Sequence, residues 1–511
     1  MNKINVLNKI EHRYKIAFLS TLIFGLIAQG MALFNKFSFH DDVAELFGVG
    51  ATTSSGRWML ELLSQMEKSI FGDGHYSLPI MNGLFSIACI GIAAVLIVYL
   101  LEINLDIACI FVGAIMVVFP MITSLFSYMF TAPFYMLALC VSVCGVVLVC
   151  KRKRMIAGAI LIACAIGVYQ AFIPVVLSLM LMYFIKLLMY ENVEAKEAFS
   201  KMLMLLGSCV LFMAIYLIMN KIFLNIYDVE LTSYQGISTM GAGTSATEYI
   251  ERIGYAYKDF IFPTKDTSYN MYPMNTYKWY MISLVIMLVL LIHRCIRVFK
   301  NNKLKGIMFV VAALCIPLAV NFIFVMVDPI YVHSLMTYGQ VFYYVLFVLI
   351  VEQTMSLLSS EKVKKYLNIA VIISTMLLVI MYARFDNQCY LKATFVREEV
   401  NTYMTTLVTQ IKSTDGYKDE YPVVFMNQCN IQDMTVYDMP ELSHINIITY
   451  ADMEGYINSY VWTIYMNRWC GYNPIQGDPS LFYGLPEYEE MPHYPDDGSI
   501  KVIDETVVVK F

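Results

Sequence analysis

The sequence predicts an all-α polytopic membrane protein of about eleven transmembrane segments, followed by a small extracytoplasmic α/β domain. Of its 511 residues, 59% are hydrophobic and only 15% are charged, whereas a soluble domain carries about 25% charged residues. Apolar runs of roughly 20 residues, long enough to cross a bilayer, recur along the first three quarters of the chain. Lysine and arginine cluster between these runs, as they do in the cytoplasmic loops of membrane proteins.

Ten apolar runs have about the length of a membrane span. They are 16–34, 78–101, 104–121, 123–149, 171–189, 201–224, 279–293, 306–327, 336–353 and 366–384. The run 171–189 is the second part of a longer apolar stretch, 155–189, which contains Gly167, Tyr169, Gln170 and Pro174; the length of this stretch alone fits either one helix or two. The first run is too long for the core of a cleavable signal peptide, and we therefore expect it to be a span.

The basic clusters decide between one helix and two. They are Lys3/Lys9/Arg13/Lys15, Lys151–Arg154, Lys186/Lys196/Lys201, Arg294/Arg297/Lys300/Lys303/Lys305 and Lys362/Lys364/Lys365. If the stretch forms two segments that meet near Tyr169 and Gln170, all five clusters are cytoplasmic, as the positive-inside rule requires. With one helix the last two would lie outside. We therefore predict two segments, a cytoplasmic N-terminus and an extracytoplasmic C-terminus.

This topology predicts a transmembrane domain at 1–384 with outer loops 35–77 and 225–278, and an extracytoplasmic domain at 385–511. A helix is predicted near Glu248–Phe260 in the second loop. In the tail, hydrophobic patterns predict helices at 391–412 and 451–467 and strands at 421–426, 445–449, 499–503 and 506–511, the last two around Asp504 and Glu505. We therefore expect the tail to be a small α/β module.

Cysteine spacing predicts no metal site. Nine of the twelve cysteines lie in or beside apolar runs, where cysteine behaves as a small hydrophobic residue. The other three, Cys389, Cys429 and Cys470, lie in the tail. The sequence does not decide whether two of them form a disulfide or all three are free thiols. No CxxC motif and no Cys/His ligand spacing occurs.

The most informative polar residues follow the first span. Asp41 and Asp42 come directly after His40, next to the predicted outer end of an apolar helix, where unpaired charge is unfavourable. One interpretation is a general base placed at the head group of a lipid-linked substrate. The other is an N-cap for an amphipathic helix at Val43–Gly48. One aspartate could serve each role, and the sequence leaves the choice open.

Arg57 is the second candidate. It lies between Gly56 and Trp58 at the start of a predicted helix, Trp58–Ile70. A guanidinium group there offers two hydrogen-bond donors to a phosphate, assisted by the helix N-terminus. Alternatively, Trp58 anchors the loop at the membrane interface and Arg57 contacts lipid phosphates only.

The predicted spans contain few polar residues, chiefly Gln29, Tyr169, Gln170 and Asn321. Since ion-coupled transporters place ionisable groups inside their spans, this composition argues against such a transporter. Loop 225–278 is rich in tyrosine and phenylalanine, which indicates either a sugar-stacking surface or an aromatic belt. His75 and His333 on outer loops are predicted to have no catalytic role.

Several short motifs in the first 175 residues carry a family resemblance. They are Asp41-Asp42, Gly56-Arg57-Trp58, Phe119-Pro120, Phe126-Ser127-Tyr128 and Tyr169-Gln170-Ala171-Phe172. In their order and topological placement they resemble the Gtr-type glucosyltransferases that modify bacterial O-antigens and other surface polysaccharides. Those enzymes belong to the GT-C superfamily of multispanning glycosyltransferases.

The resemblance implies a specific reaction. A hexose, expected to be glucose, would move from a polyprenyl-phosphate carrier to a polysaccharide or glycolipid at the outer face of the bacterial cytoplasmic membrane, with inversion. Asp41 or Asp42 would be the base and Arg57 would bind the donor phosphate. The substrate cavity would be lined by His40, Trp58, Tyr169 and Gln170. Membrane lipids are expected partners and nucleic acid is not; no cofactor is implied beyond the lipid-linked donor, and a divalent metal is left open.

Three other functions compete with this one. A polysaccharide or glycolipid flippase would show more charge inside the bundle and internal pseudo-symmetry, and the sequence has neither feature. A polysaccharide polymerase or ligase needs similar outer-loop residues and stays open. A non-enzymatic envelope scaffold, with the tail as a binding module, is the third.

Overall fold

The computed structural model describes residues 11–38, 40–232, 245–263, 274–357, 359–427, 440–442, 445 and 461–511. By contacts the chain divides into two compact units. The first unit contains Met1–Lys36 and Phe47–Asn387, and the second contains Phe37–Leu46 and Gln388–Phe511. Residues 37–46, predicted to belong to an outer loop of the transmembrane domain, thus group with the tail. The boundary predicted at 384/385, between the transmembrane domain and the extracytoplasmic domain, stays a prediction.

The first unit is built from helices. Among the described residues they are His12–Phe34, Trp58–Phe71, Pro79–Leu101, Asp106–Val118, Met121–Phe126, Ala132–Cys150, Met155–Val168, Ile173–Met189, Ala195–Tyr227, Ala246–Ile261, Met274–Asn301, Lys303–Leu314, Ile316–Val320, Ile323–Met326, Val341–Met355 and the start of Glu361–Ser413. Seven helices in the described part of the chain are long and apolar enough to cross a membrane, and two shorter ones are apolar. The protein is therefore a mostly α-helical polytopic membrane protein, as predicted.

The predicted break in the 155–189 stretch is confirmed. One helix ends at Val168, Tyr169 is extended with φ −153°, and a short 3₁₀ turn at Gln170–Phe172 leads into the next helix. Two other predicted runs are interrupted. Run 123–149 contains the end of the short helix Met121–Phe126, then a series of turns, and then helix Ala132–Cys150. Run 306–327 divides into three helices. These corrections arise because hydropathy measures apolar content and does not register a change of chain direction.

Small residues allow the helices to pack closely, as in many membrane proteins. A Cβ added to Gly113 would lie 2.2 Å from the carbonyl oxygen of Ala17, so only glycine fits this crossing. At the same crossing the Thr21 hydroxyl donates a hydrogen bond to the Gly113 carbonyl at 2.9 Å. Gly113 therefore sets the distance between helices His12–Phe34 and Asp106–Val118.

An ionic cluster surrounds Glu102, which follows helix Pro79–Leu101 with a φ of +50°. Its carboxylate accepts hydrogen bonds from the ammonium groups of Lys151 and Lys186 and from the Tyr190 hydroxyl. Burial raises the pKa of this carboxyl, but the three hydrogen bonds outweigh burial and lower the pKa to about 2. Both lysines belong to basic clusters that the sequence assigned to the cytoplasmic side.

We expect Glu102→Gln to lower the free energy of unfolding by about 1 to 3 kcal/mol. The side chain of Lys186 is only 3% exposed, and the substitution removes its counter-charge; partial exposure of Glu102 limits the loss. In the wild type this contribution should be complete above an ordinary glutamate pKa of 4.5 and disappear as the pH falls towards 2. Thermal unfolding of the purified protein measures both effects. Glu361→Gln, which removes an exposed pair with Lys364, is the control and should change little.

The second unit contains a three-stranded mixed sheet in the order β1-β3-β2. Its strands are β1 (Val423–Met426), β2 (Ile500–Ile503) and β3 (Thr506–Lys510). β1 and β3 are parallel, with Val424 opposite Val508, whereas β2 and β3 are antiparallel. The turn between β2 and β3 consists of Asp504 and Glu505, which both have positive φ, as tight two-residue hairpins require. Three of the predicted strands are thus confirmed.

The remaining predictions for the tail have mixed outcomes. The helix predicted at 391–412 lies within the 53-residue helix Glu361–Ser413. A described helix, Trp462–Cys470, overlaps the one predicted at 451–467, whose residues 451–460 lie outside the described residues, as do 446–449 of the predicted strand 445–449. Cys470 is a free thiol and Cys389 is fully buried, whereas Cys429 is outside the described part of the chain; a disulfide in the tail stays open.

Candidate functional site

The acidic pair lies in a short helix, His40–Ala44. Asp41 and Asp42 occupy its first turn, where negative charge stabilises a helix. The predicted helix at Val43–Gly48 is therefore wrong, and neither aspartate precedes the helix as an N-cap would. Asp42 is completely buried and Asp41 is half-buried. The carboxylate of Asp41 is therefore more accessible than that of Asp42, and which of the two is the base stays a prediction. The side chain of His40 lies outside what the structure describes.

Arg468 holds the other end of this short helix. Its guanidinium group donates hydrogen bonds to the carbonyl oxygens of Val43 and Ala44, two acceptors that a helix end leaves without intrahelical partners. The two segments are separated by more than 400 residues in the chain. Sequence patterns carry no signal for such a long-range contact, and Arg468 was therefore not predicted.

Arg57 lies over a pair of stacked tyrosines. The rings of Tyr135 and Tyr169 stack with centroids 4.2 Å apart, and the Arg57 guanidinium carbon lies 5.9 and 5.6 Å from their centroids. Such contacts hold a cation through the negative ring faces. Tyr135 was not predicted, since it lies inside an apolar run.

The guanidinium group of Arg57 has no acidic partner in the described part of the chain. Among the residues that the structure describes, no carboxylate forms an ion pair with it, and its Nε is buried without a hydrogen-bond partner. Its Nη1 makes one long hydrogen bond, of 3.4 Å, to the Ala51 carbonyl. A half-buried, uncompensated guanidinium group can bind an anion, and phosphate matches its fork of donors.

Gln170 ties the Arg57 loop to the helices. Its amide nitrogen donates to the Ser55 carbonyl at 2.7 Å and to the Tyr216 hydroxyl at 3.2 Å, and Tyr216 in turn donates to the Gly56 carbonyl. This nitrogen of the Gln170 amide is thus occupied by the loop backbone and Tyr216. The role of Gln170 and Tyr169 in lining a substrate cavity stays a prediction.

Trp58 is buried, with 3% of its surface exposed. Its ring packs on Gly167, where an added Cβ would lie 2.5 Å from the indole, and 5.5 Å from the Phe223 ring. The predicted helix that it opens is confirmed at Trp58–Phe71. Trp58 therefore fixes the position of the residue before it, Arg57.

We expect Gly56→Ala to destabilise the protein more than Gly72→Ala. Both glycines have positive φ, +71° and +83°, so each alanine costs about 1–2 kcal/mol in backbone strain. Only at Gly56 would the new Cβ also lie 2.8 Å from the Gln170 amide and the Tyr216 hydroxyl, whereas nothing lies within 4 Å at Gly72. This overpacking adds about 1–3 kcal/mol. Thermal unfolding of the two variants checks the difference, and equal losses would contradict it.

The predicted helix in loop 225–278 is confirmed at Ala246–Ile261, where Ser245 and Glu248 form a capping box. It carries a buried carboxylate that the sequence did not single out. Asp259 accepts hydrogen bonds from the amides of Asn321 and Gln340 at 3.0 and 3.1 Å. Much of the aromatic loop, 233–244 and 264–273, lies outside the described residues, and the sugar-stacking surface stays a prediction.

Two further titratable groups lie in the first unit. The sequence predicted no catalytic role for His75 and did not single out Asp386. His75 is buried and its Nδ1 lies 2.8 Å from the Glu67 carboxylate, while its Nε2 has no partner among the described residues. Asp386, two residues beyond the last predicted span, is fully buried 3.5 Å from the amide nitrogen of Gln29. Since Gln29 also bonds to the Val117 carbonyl, these contacts connect three helices.

No group of three or more His, Cys, Asp or Glu side chains that could hold a metal ion occurs within the described ranges.

A family model described as Glucosyl transferase GtrII matches residues 30–351. No curated protein and no solved structure matches the chain. The matched range includes the acidic pair, Arg57, Trp58, Tyr169 and Gln170.

Proposed function

Because the chain belongs to the GtrII family of glucosyl transferases, we propose that it transfers glucose from a polyprenyl-phosphate carrier to a surface polysaccharide or glycolipid at the outer face of the bacterial cytoplasmic membrane. The coarser function, that of a membrane glucosyltransferase acting on surface polysaccharide, follows from the family. The carrier, the acceptor and the residue roles are the proposal. The observation that carries it is the family match over 30–351, which includes every proposed site residue.

The environment of Arg57 supports a phosphate-linked donor. Its guanidinium group is half-buried, rests on two tyrosine rings and forms no ion pair with a described carboxylate. A leaving phosphate develops negative charge as the glycosidic bond breaks, and a preorganised guanidinium group stabilises that charge. The carrier's hydrocarbon tail can lie among the apolar helices.

In the proposed reaction an aspartate of the acidic pair accepts the proton of the acceptor hydroxyl. The acceptor oxygen then bonds to C1 of glucose from the side opposite the phosphate. The C1–O bond to the phosphate breaks, and polyprenyl phosphate leaves with the electron pair. Attack from the opposite side inverts the configuration at C1.

We further propose eleven spans, a cytoplasmic N-terminus and an extracytoplasmic α/β domain at the C-terminus. The break at Tyr169 supports this count, because two crossings that meet there would leave all five basic clusters on one side. Asp41→Cys should then react with a membrane-impermeant thiol reagent added outside intact cells, above the wild-type background. Arg152→Cys, exposed in a predicted cytoplasmic cluster, is the control and should react only after permeabilisation. The reverse pattern would contradict the orientation.

Comparison of the host's surface polysaccharide with and without this gene tests the function. We expect the loss of a glucose side branch on otherwise normal chains. Shortened chains would indicate a polymerase instead, and accumulation of precursor at the inner leaflet would indicate a flippase. An unchanged polysaccharide and an unchanged glycolipid fraction would contradict the proposed transfer.

A further inference from the structure

A buried arginine that has no counter-charge within the described ranges lies far along the chain from the proposed site. Arg294, in helix Met274–Asn301, is 5% exposed. Its Nε and Nη2 are buried and have no hydrogen-bond partner among the residues that the structure describes. A guanidinium group stays charged in proteins, and an uncompensated buried charge is strongly unfavourable. An anion bound at this position would remove that cost.

Arg294 borders a small, partly open recess with an enclosed volume of only about 10 Å³, so a bound anion would lie at its open mouth. Leu188 and Met189 form part of an apolar wall, while Glu191, Arg297 and Asn301 supply polar groups. Val298, one turn along the same helix from Arg294, adds to this apolar wall. The recess therefore has cationic groups beside apolar surface, which matches an amphiphile with a charged head.

The one carboxylate in the recess is already engaged. Glu191 accepts a hydrogen bond from Nη2 of Arg297 at 3.1 Å. Close by in the chain, Lys305 donates to the carbonyl oxygens of Tyr190 and Val193 and adds another positive charge. The charge of Arg294 is thus not cancelled by Glu191, and the net charge of these groups is positive.

We propose that this recess is an anion site that binds a phosphate group, carried either by an anionic phospholipid or by free phosphate. The planar guanidinium group of Arg294 can donate two parallel hydrogen bonds to phosphate oxygens. Basic pockets between transmembrane helices bind anionic lipid head groups in this way. Under the proposed topology the recess lies at the cytoplasmic side, and the site is therefore separate from the donor phosphate bound by Arg57.

The test uses the purified full-length protein in detergent. Its thermal unfolding is followed while phosphatidylglycerol, phosphatidylcholine or inorganic phosphate is added. We expect phosphatidylglycerol to raise the Tm more than phosphatidylcholine does. Arg294→Gln should weaken the binding of phosphatidylglycerol about ten-fold or more, because it removes a pair of charged hydrogen bonds. Arg154→Gln, which removes an exposed arginine of another basic cluster, is the control and should bind as the wild type does.

The added compounds also identify the source of the phosphate. A full response to inorganic phosphate would assign the site to the free ion, and a response to phosphatidylglycerol alone would assign it to lipid. Glu191→Gln gives a second test that leaves Arg294 in place. Removal of this exposed carboxylate should tighten binding by about five-fold. Equal binding by the wild type and Arg294→Gln, or no preference of the wild type for an anionic compound, would overturn the proposal.

Discussion

Replacement of Asp41 by Asn should reduce the turnover of glucosyl transfer by about 10²–10⁴-fold, the usual contribution of a general base. Asparagine has nearly the same shape but cannot accept the acceptor's proton. Asp41 lies half-buried in the first turn of helix His40–Ala44, and its carboxylate is therefore more accessible than that of the buried Asp42. The variant should therefore fold, bind the lipid-linked donor with ordinary affinity and fail in the chemical step.

The same substitution at Asp42 should act differently. Asp42 is fully buried, and a change there should lower the Tm and the amount of folded protein as well as activity. Turnover and KM for the donor, measured on purified protein with thermal unfolding in parallel, separate the two effects. Glu45→Gln, one turn further along the chain and half-buried, is the matched control. Full transfer by Asp41→Asn, Asp42→Asn and the double variant would remove the acidic pair from the mechanism.

Local patterns predicted the parts of the fold that local physics determines. Apolar length located the helices, the polar residues at Tyr169 and Gln170 located a break, and Asp504 and Glu505 located a hairpin. Each of these features depends on residues that are neighbours in the chain. Hydropathy did not locate the interruptions in 123–149 and 306–327, because their few polar residues, such as Ser127 and Asn321, hardly lower the mean hydropathy of each run.

The surroundings of the candidate site could not be predicted in the same way. Arg468 reaches Val43 from the tail, and Tyr135 meets Tyr169 from a different helix. Tertiary packing alone brings these side chains together, and a single sequence contains no signal for such pairs. The sequence did indicate Arg57 and the acidic pair, since charge beside apolar segments is costly and therefore conspicuous.

Replacement of Arg57 by Lys should lower kcat/KM for the lipid-linked donor by about 10–100-fold, through both weaker binding and slower turnover. Lysine keeps the positive charge but loses the planar fork that bonds two phosphate oxygens, a loss of about 1.5–3 kcal/mol for charged hydrogen bonds. It also contacts the rings of Tyr135 and Tyr169 less extensively. Steady-state kinetics with varied donor concentration measures both parameters.

Tyr135, one of the two stacked tyrosines that contact Arg57, supplies the matched variants for this prediction. Tyr135→Phe keeps the ring below the guanidinium group and should leave donor kinetics nearly unchanged. Tyr135→Leu removes the ring and should weaken donor use about two- to five-fold, the equivalent of a cation–π contact of roughly 0.5–1 kcal/mol. The loss of kcat/KM for the donor should be largest for Arg57→Lys, intermediate for Tyr135→Leu and smallest for Tyr135→Phe. This order would show that the orientation of the guanidinium group matters as well as its charge. If Arg57→Lys has unchanged donor affinity and turnover, Arg57 does not bind the phosphate.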